Sequence, residues 1–240
     1  MHHFGDMENI VSRRKALTIG AATFLAPQFA LAGAAPIIVE LFTSQGCSSC
    51  PAADKFAAQL KKDPNVMVLS LNVDYWDYLG WKDTLAHSAF TKRQMDYAHE
   101  RGDMDVYTPQ MIINGAAHVV GSNESVVKSA VIKAQAPQIL KYEKLGDAFN
   151  FNMPKQGGAA TLWALTYEPS VTVEIKRGEN NGKTITYHNV VRHIEKLGTW
   201  DGKALNIQVP MDKLKSGNTV ITLQANNVGQ VLGIAQLTIS

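Results

Sequence analysis

Cys47 and Cys50 are the two cysteines of the chain, three positions apart in Cys47-Ser48-Ser49-Cys50. Such a pair serves as a structural cross-link, a metal clip or a redox couple. A disulfide here encloses two residues, so the loop-closure entropy it removes from the unfolded chain is close to the minimum. Stapling is a poor reason for the pair. Two thiols supply half of the four ligands a structural zinc site takes, and His87, His99 and His118 each have a plain reading on a helix surface or in a hairpin. Two soft thiolates also suit Cu(I), although no Met or His precedes Cys47 at short spacing. The redox reading has a mechanism at each step. The thiolate is the nucleophile, and a cysteine placed ahead of a helix meets unpaired N–H groups and the positive dipole end, which lower its pKa.

The surrounding elements supply that placement. Pro36 to Phe42 is a near-continuous apolar run of strand length, the pattern of a strand covered on both faces, and Thr43 to Gly46 is a polar turn. Cys50 to Lys62 is alanine-rich and helical, with Pro51 tolerable only in a first turn. Asp63-Pro64-Asn65 stops the helix, and Val66 to Val73 is a second strand, giving a strand-helix-strand unit. Cys47 is then the outer, attacking thiol, and Cys50, inside the first turn and facing the sheet, resolves the mixed disulfide. Asp54 lies one turn further along. Its expected position is a solvated one near the positive helix end; pointing inward, it would oppose thiolate formation.

Glu40 interrupts the first strand seven residues before Cys47. A buried carboxylate behind Cys50 would have a raised pKa and could shuttle its proton; the competing reading is a hydrogen-bonded structural glutamate. Asp74 to Trp81 is rich in aromatics, and Tyr75, Trp76, Tyr78 and Trp81 suit a core or lid, with Trp76 also a candidate substrate contact. A helix from about Thr84 to Arg101 follows. Tyr107 to Gly115 reads as a strand led in by Pro109 and closed by an Asn-Gly hairpin turn, with Ala117 to Val120 as the return strand. Ser122 to Ser125 caps a helix that runs to about Pro137. From Gly146 the texture changes to short β-type runs at Thr161–Thr166, Val171–Lys176, Thr184–Glu195, Asn206–Val209, Thr219–Asn226 and Val231–Ile239, with Asn181-Gly182, Asp201-Gly202 and Ser216-Gly217-Asn218 as turns.

This order resembles the thioredoxin-like superfamily, in which a strand, Cys-x-x-Cys at a helix start, a strand, a helix, a cis-proline strand and a hairpin follow one another. The resemblance implies that Thr108 and Pro109 lie against the cysteines as substrate contacts, and it places a buried acid on the strand that holds Glu40. From the residues alone Pro109 is a strand-entry residue, since X-Pro bonds in folded proteins are cis only ~5% of the time. Val39-Glu40-Leu41-Phe42-Thr43-Ser44-Gln45-Gly46, Asn72-Val73-Asp74-Tyr75-Trp76-Asp77, Gly80-Trp81-Lys82-Asp83, Arg93-Gln94, Tyr107-Thr108-Pro109-Gln110, Asn189-Val190-Val191-Arg192 and Leu197-Gly198-Thr199-Trp200 resemble a narrower exported bacterial family of unknown function. Gly46 stands where thioredoxins usually carry Trp, and Ser48-Ser49 where they carry Gly-Pro, so the direction of redox chemistry cannot be borrowed.

The chain has 240 residues, with 23 Lys+Arg against 21 Asp+Glu. No polybasic field points to nucleic acid. Ser12-Arg13-Arg14-Lys15 followed by the apolar Ala16–Phe29 and small residues at Ala30 to Ala34 reads as an export signal of twin-arginine type, and Pro27-Gln28 interrupts a run already short for a membrane span. The expected organisation is an export signal at 1–34, a thioredoxin-like α/β domain with a mixed sheet and flanking helices at 35–145, and a small, sandwich-like all-β domain at 146–240. The expected protein is periplasmic and soluble, a thiol-disulfide oxidoreductase for exported protein or small-molecule thiols, with a possible membrane redox partner and without a cofactor or resident metal. Cu(I) delivery by the same thiolates and a redox-regulated binding module are the alternatives.

Overall fold

Strand β1 (Ile37–Thr43) is buried along its whole length, as a run with no wet side requires. The computed structural model describes residues 35–153, 155, 157–203 and 205–239; the expected export signal lies outside them. Helix α1 (Cys50–Leu60) carries Pro51 in its first turn, and strand β2 (Val66–Asn72) returns parallel to β1, from Ile37↔Val66 to Thr43↔Asn72. Helix α2 (Ser88–Arg101) starts later than its sequence pattern, because His87 caps it by accepting the Ala89 N–H while Asp83 accepts the Leu85 N–H ahead of it.

Strand β3 (Gln110–Ile113) runs antiparallel to β1, and strand β4 (Ala117–Val120) pairs with β3. Asn114 and Gly115, with φ of 50° and 71°, make the expected two-residue turn. Helix α3 (Glu124–Lys133) begins at Asn123, whose side chain accepts the Val126 N–H, and it stops short of Pro137. Beyond Pro137 the described elements are strands, apart from one short 3-10 turn: β5 (Gln138–Ile139), β6 (Lys141–Leu145), β7 (Ala148–Met153), β8 (Ala160–Glu174), β9 (Thr184–Trp200), β10 (Leu205–Pro210), β11 (Gly217–Ala225) and β12 (Val231–Ile239).

The result is a mixed α/β architecture around a nine-stranded sheet in the order β4-β3-β1-β2-β9-β8-β11-β12-β5, with β10-β7-β6 as a second, three-stranded sheet. The hydrogen bonding does not divide at residues 145 and 146. The free edge of β2 is occupied by β9 at Ser70↔Val190, supported by Ser70 Oγ donating to the His188 carbonyl and Asn189 Nδ2 donating to the Val68 carbonyl. A buried strand edge needs such partners for its backbone groups. The three-stranded sheet covers the far half of the large one: Phe149, Phe151, Met153 and Val209 share a buried cluster with Leu162, Ile221, Leu223 and Leu237.

Alternation along β1 sorts the other two main clusters. Val39 and Leu41 face α1 with Ala53, Phe56 and Ala57; Ile38 and Phe42 face α2 with Phe90 and Tyr97. Residues of one parity share a face of a strand, so Thr43 belongs to the α1 face and Glu40 to the α2 face.

Candidate functional site

Cys47 and Cys50 form a disulfide at the start of α1. The loop that presents them is wound tightly: Cys47 N–H donates to the Ser44 carbonyl and Cys50 N–H to the Cys47 carbonyl, both at 3.2 Å, and Gly46 N–H donates to Ser44 Oγ. Both cysteines are buried, with Cys47 only 2% exposed, whereas Ser48 and Ser49 between them are exposed.

Behind Cys50 the helix stripe continues through Ala53, Asp54, Ala57 and Leu60, all buried. Asp54 is therefore not the solvated first-turn acid its position suggested. It sits four residues from Cys50, which puts the two side chains on one helix face, and its Oδ1 accepts from Thr43 Oγ1 at 2.8 Å. Among the described residues its Oδ2 has no hydrogen-bond partner. Burial disfavours the charged carboxylate, and together with the nearby Asp83 charge it outweighs the Thr43 hydrogen bond, pushing the Asp54 pKa up to about 8.

Glu40 is elsewhere. Its carboxylate takes a two-point grip from Arg93, at 2.6 and 2.7 Å, and a hydrogen bond from the Tyr97 hydroxyl; Arg93 also donates to Gln224 Oε1. Both members of the pair are buried. Strand parity explains the outcome: the position is one residue out of phase with the α1 face, so the residue expected behind Cys50 serves instead to tie β1 and α2 to β11.

Trp76 and the Thr108-Pro109 pair do come together. Trp76 Nε1 donates to Thr108 Oγ1 at 2.8 Å, the Thr108–Pro109 peptide is cis, and the Pro109 carbonyl accepts the Gly121 N–H. Trp76 also meets the cysteine loop. A Cβ at Gly46 would lie 3.1 Å from Trp76 Cβ and 3.2 Å from its carbonyl oxygen, so glycine here makes room for an aromatic residue supplied from another loop.

Asn180 and Glu179 carry no signal in the sequence, and the sequence gives no sign that Asp83 and Trp81 bond to the cysteine loop. Asn180, fully buried, donates from Nδ2 to the carbonyls of Gln45 (2.9 Å) and Cys47 (2.8 Å). Glu179 accepts the Ser48 N–H at 3.1 Å. Asp83, also buried, accepts the Gln45 N–H and Asn72 Nδ2, and burial raises its pKa. Trp81 Nε1 donates to Gln45 Oε1. The turn at Asn181-Gly182 was legible, but no local pattern reveals that it docks on a loop more than 130 residues earlier. Asp54 did leave a trace, since it falls within the stripe Cys50, Ala53, Ala57, Leu60.

A family model described as Protein of unknown function (DUF1223) matches residues 38–224. The chain belongs to that family. This DUF1223 protein is similar to a crystal structure of a protein from Agrobacterium tumefaciens, with 31% identity and a TM-score of 0.73 over 87% of this chain and 96% of that one. HBP35 of Porphyromonas gingivalis resembles it in fold at 12% identity, with a TM-score of 0.53 over 86% of this chain and 76% of that one. No curated protein matches it. Among the described residues of this family member, no group of three or more His, Cys, Asp or Glu side chains is arranged to share a metal ion, and no helix is long and apolar enough to cross a membrane.

Proposed function

We propose that this DUF1223 protein is an exported, periplasmic thiol-disulfide oxidoreductase, with a thioredoxin-like domain at residues 35–145 and a β-rich domain at residues 146–240 whose strands continue the same sheet. The observation that carries the reading is the Cys47–Cys50 disulfide at the head of α1 with a buried, high-pKa carboxyl group one helical turn behind it. The Thr108-Pro109 segment, tied to Trp76, which itself packs on the cysteine loop at Gly46, supports it.

The step follows from these groups. An incoming thiolate attacks Cys47 Sγ; a new disulfide forms to Cys47, the Cys47–Cys50 bond breaks, and Cys50 leaves as a thiolate. Cys50 is fully buried at the first position of α1, and burial makes an unpaired charge costly; protonated Asp54 supplies the proton, becoming a carboxylate. A second thiolate of the substrate then attacks the substrate sulfur of the mixed disulfide and expels Cys47 as a thiolate, leaving substrate disulfide and protein dithiol. Run backwards, Asp54 takes the Cys50 proton so that Cys50 can attack Cys47. The substrates are exported protein or small-molecule thiols, and a second redox protein, expected at the membrane, restores the starting state.

Cys50→Ala removes the resolving thiol and should accumulate mixed disulfides in periplasmic extracts that dithiothreitol releases, with none in the Cys47→Ala variant. Failure to trap any Cys47-dependent adduct under both oxidising and reducing conditions would overturn the proposal.

A further inference from the structure

The hairpin joining β8 to β9 projects beyond the sheet. Strand β11 accompanies β8 only as far as Tyr167; from Glu168 to Glu174, β8 pairs with β9 alone. At the base of this two-stranded arm the ladder shifts register between Thr166 and Tyr167, Pro169 interrupts β8, and Asn189 opposite holds a left-handed φ of 46°. Such breaks are where a strand pair bends. Midway, Tyr187 is buried in a small cluster with Leu85 and Val190. The tip, residues 175–183, is closed on itself by Ile175 N–H to the Lys183 carbonyl and Gly182 N–H to the Ile175 carbonyl.

The tip is fastened to the backbone from Gln45 to Ser48, on both sides of Cys47 in the chain. Asn180 holds the carbonyls of Gln45 and Cys47, Lys183 Nζ holds Asn180 Oδ1, and Glu179 holds the Ser48 N–H. Disulfide exchange needs a thiolate to approach Cys47 in line with the S–S bond, yet Cys47 is almost wholly buried in the disulfide form. We infer that residues 175–183 are a lid on the disulfide, latched by Asn180 and Glu179, and that the tip must lift before Cys47 exchanges. The role of Cys47 as the attacked sulfur rests on the oxidoreductase reading; the lid itself does not need it.

The latch differs in kind at its two points. Asn180 is buried and makes two bonds, so it dominates; Glu179 is exposed and makes one, in competition with water. The lid therefore predicts an order of effects: Asn180 variants open the site more than Glu179 variants, and a bulky reductant gains more than a small one.

The test measures second-order rates of reduction of the full chain's disulfide by dithiothreitol and, separately, by a reduced thioredoxin, in wild type, Asn180→Asp, Asn180→Ala and Glu179→Gln. Asn180→Asp keeps the shape but turns the donor into an acceptor facing two carbonyls. The expected result is a tenfold or greater acceleration by dithiothreitol for the Asn180 variants and a smaller one for Glu179→Gln, with larger ratios for the protein reductant. Near-UV circular dichroism should stay unchanged, and hydrogen exchange should rise in residues 175–183 but not in β1 or β2. Rates within twofold of wild type in Glu179→Gln and in either folded Asn180 variant would overturn the lid. Because dithiothreitol reports access to the bond whether or not the protein has a thiol substrate, this failure is separable from a failure of adduct trapping in Cys50→Ala.

Discussion

Burial with one hydroxyl partner makes the protonated form of Asp54 the favoured one in the folded protein, and this fixes the sign of a pH dependence. Its folded pKa, about 8, lies above the ordinary carboxylate value, so the folded state holds a proton that the unfolded chain releases. The associated stability is fully present below about pH 4 and is lost as pH rises through about 8, with a slope of at most about 1.4 kcal/mol per pH unit from this one group. Asp54→Asn should flatten that slope, so that denaturant midpoints of variant and wild type diverge between pH 5 and 8 in favour of the variant. If Asp54 also handles the Cys50 proton, the variant resolves mixed disulfides more slowly, and that rate loses its pH dependence near 8. Arg93 gives the contrasting case: Arg93→Met leaves the Glu40 charge buried without its partner and should cost about 3–5 kcal/mol, read from urea unfolding.

At the scale of elements, two close approaches of glycine to a neighbouring segment make substitution testable. Gly115 combines a φ of 71° with a virtual Cβ only 2.2 Å from the Gly229 carbonyl oxygen, so the β3–β4 turn lies directly against the loop before β12. Gly115→Ala must shift backbone and should destabilise by more than about 1 kcal/mol, the scale of the conformational penalty alone, measured by denaturant titration. At Gly46 the neighbour is Trp76. Gly46→Ala should displace that indole, weaken its bond to Thr108 and change the tryptophan fluorescence while leaving the three helices intact by far-UV circular dichroism.

For the molecule as a whole, the sheet runs through the expected domain boundary. A chain ending at residue 145 would lose β9, and with it the partner that covers β2 at Ser70 and the side-chain bonds from Asn189 and Ser70. Such a fragment should fail to give dispersed amide resonances, whereas the chain from residue 35 should unfold with coincident transitions by fluorescence and circular dichroism. A folded, redox-active fragment would instead establish two independent domains.

Local pattern alone determined a good part of this protein. The apolar run of β1, the Pro51 helix start, the Asn114-Gly115 turn and the short β-type runs from Thr161 onward, two of which, Thr161–Thr166 and Val171–Lys176, the structure joins in the single strand β8, are set by backbone preferences and by periodicities of two and 3.6, which neighbouring residues carry. Strand β6 was less legible, because Lys141 to Leu145 is exposed at every position and shows no buried face. The cysteine pair and its helix-start placement were also plain. Only the tertiary structure decided which acid stands behind Cys50, since that depends on strand parity and helix phase together: Glu40 turned to α2 and Asp54 to the core. It alone placed Asn180 and Glu179 on the cysteine loop, because contacts between residues 47 and 180 arise from how strands are ordered in a sheet, a choice made by long-range burial and edge pairing rather than by any local run of residues.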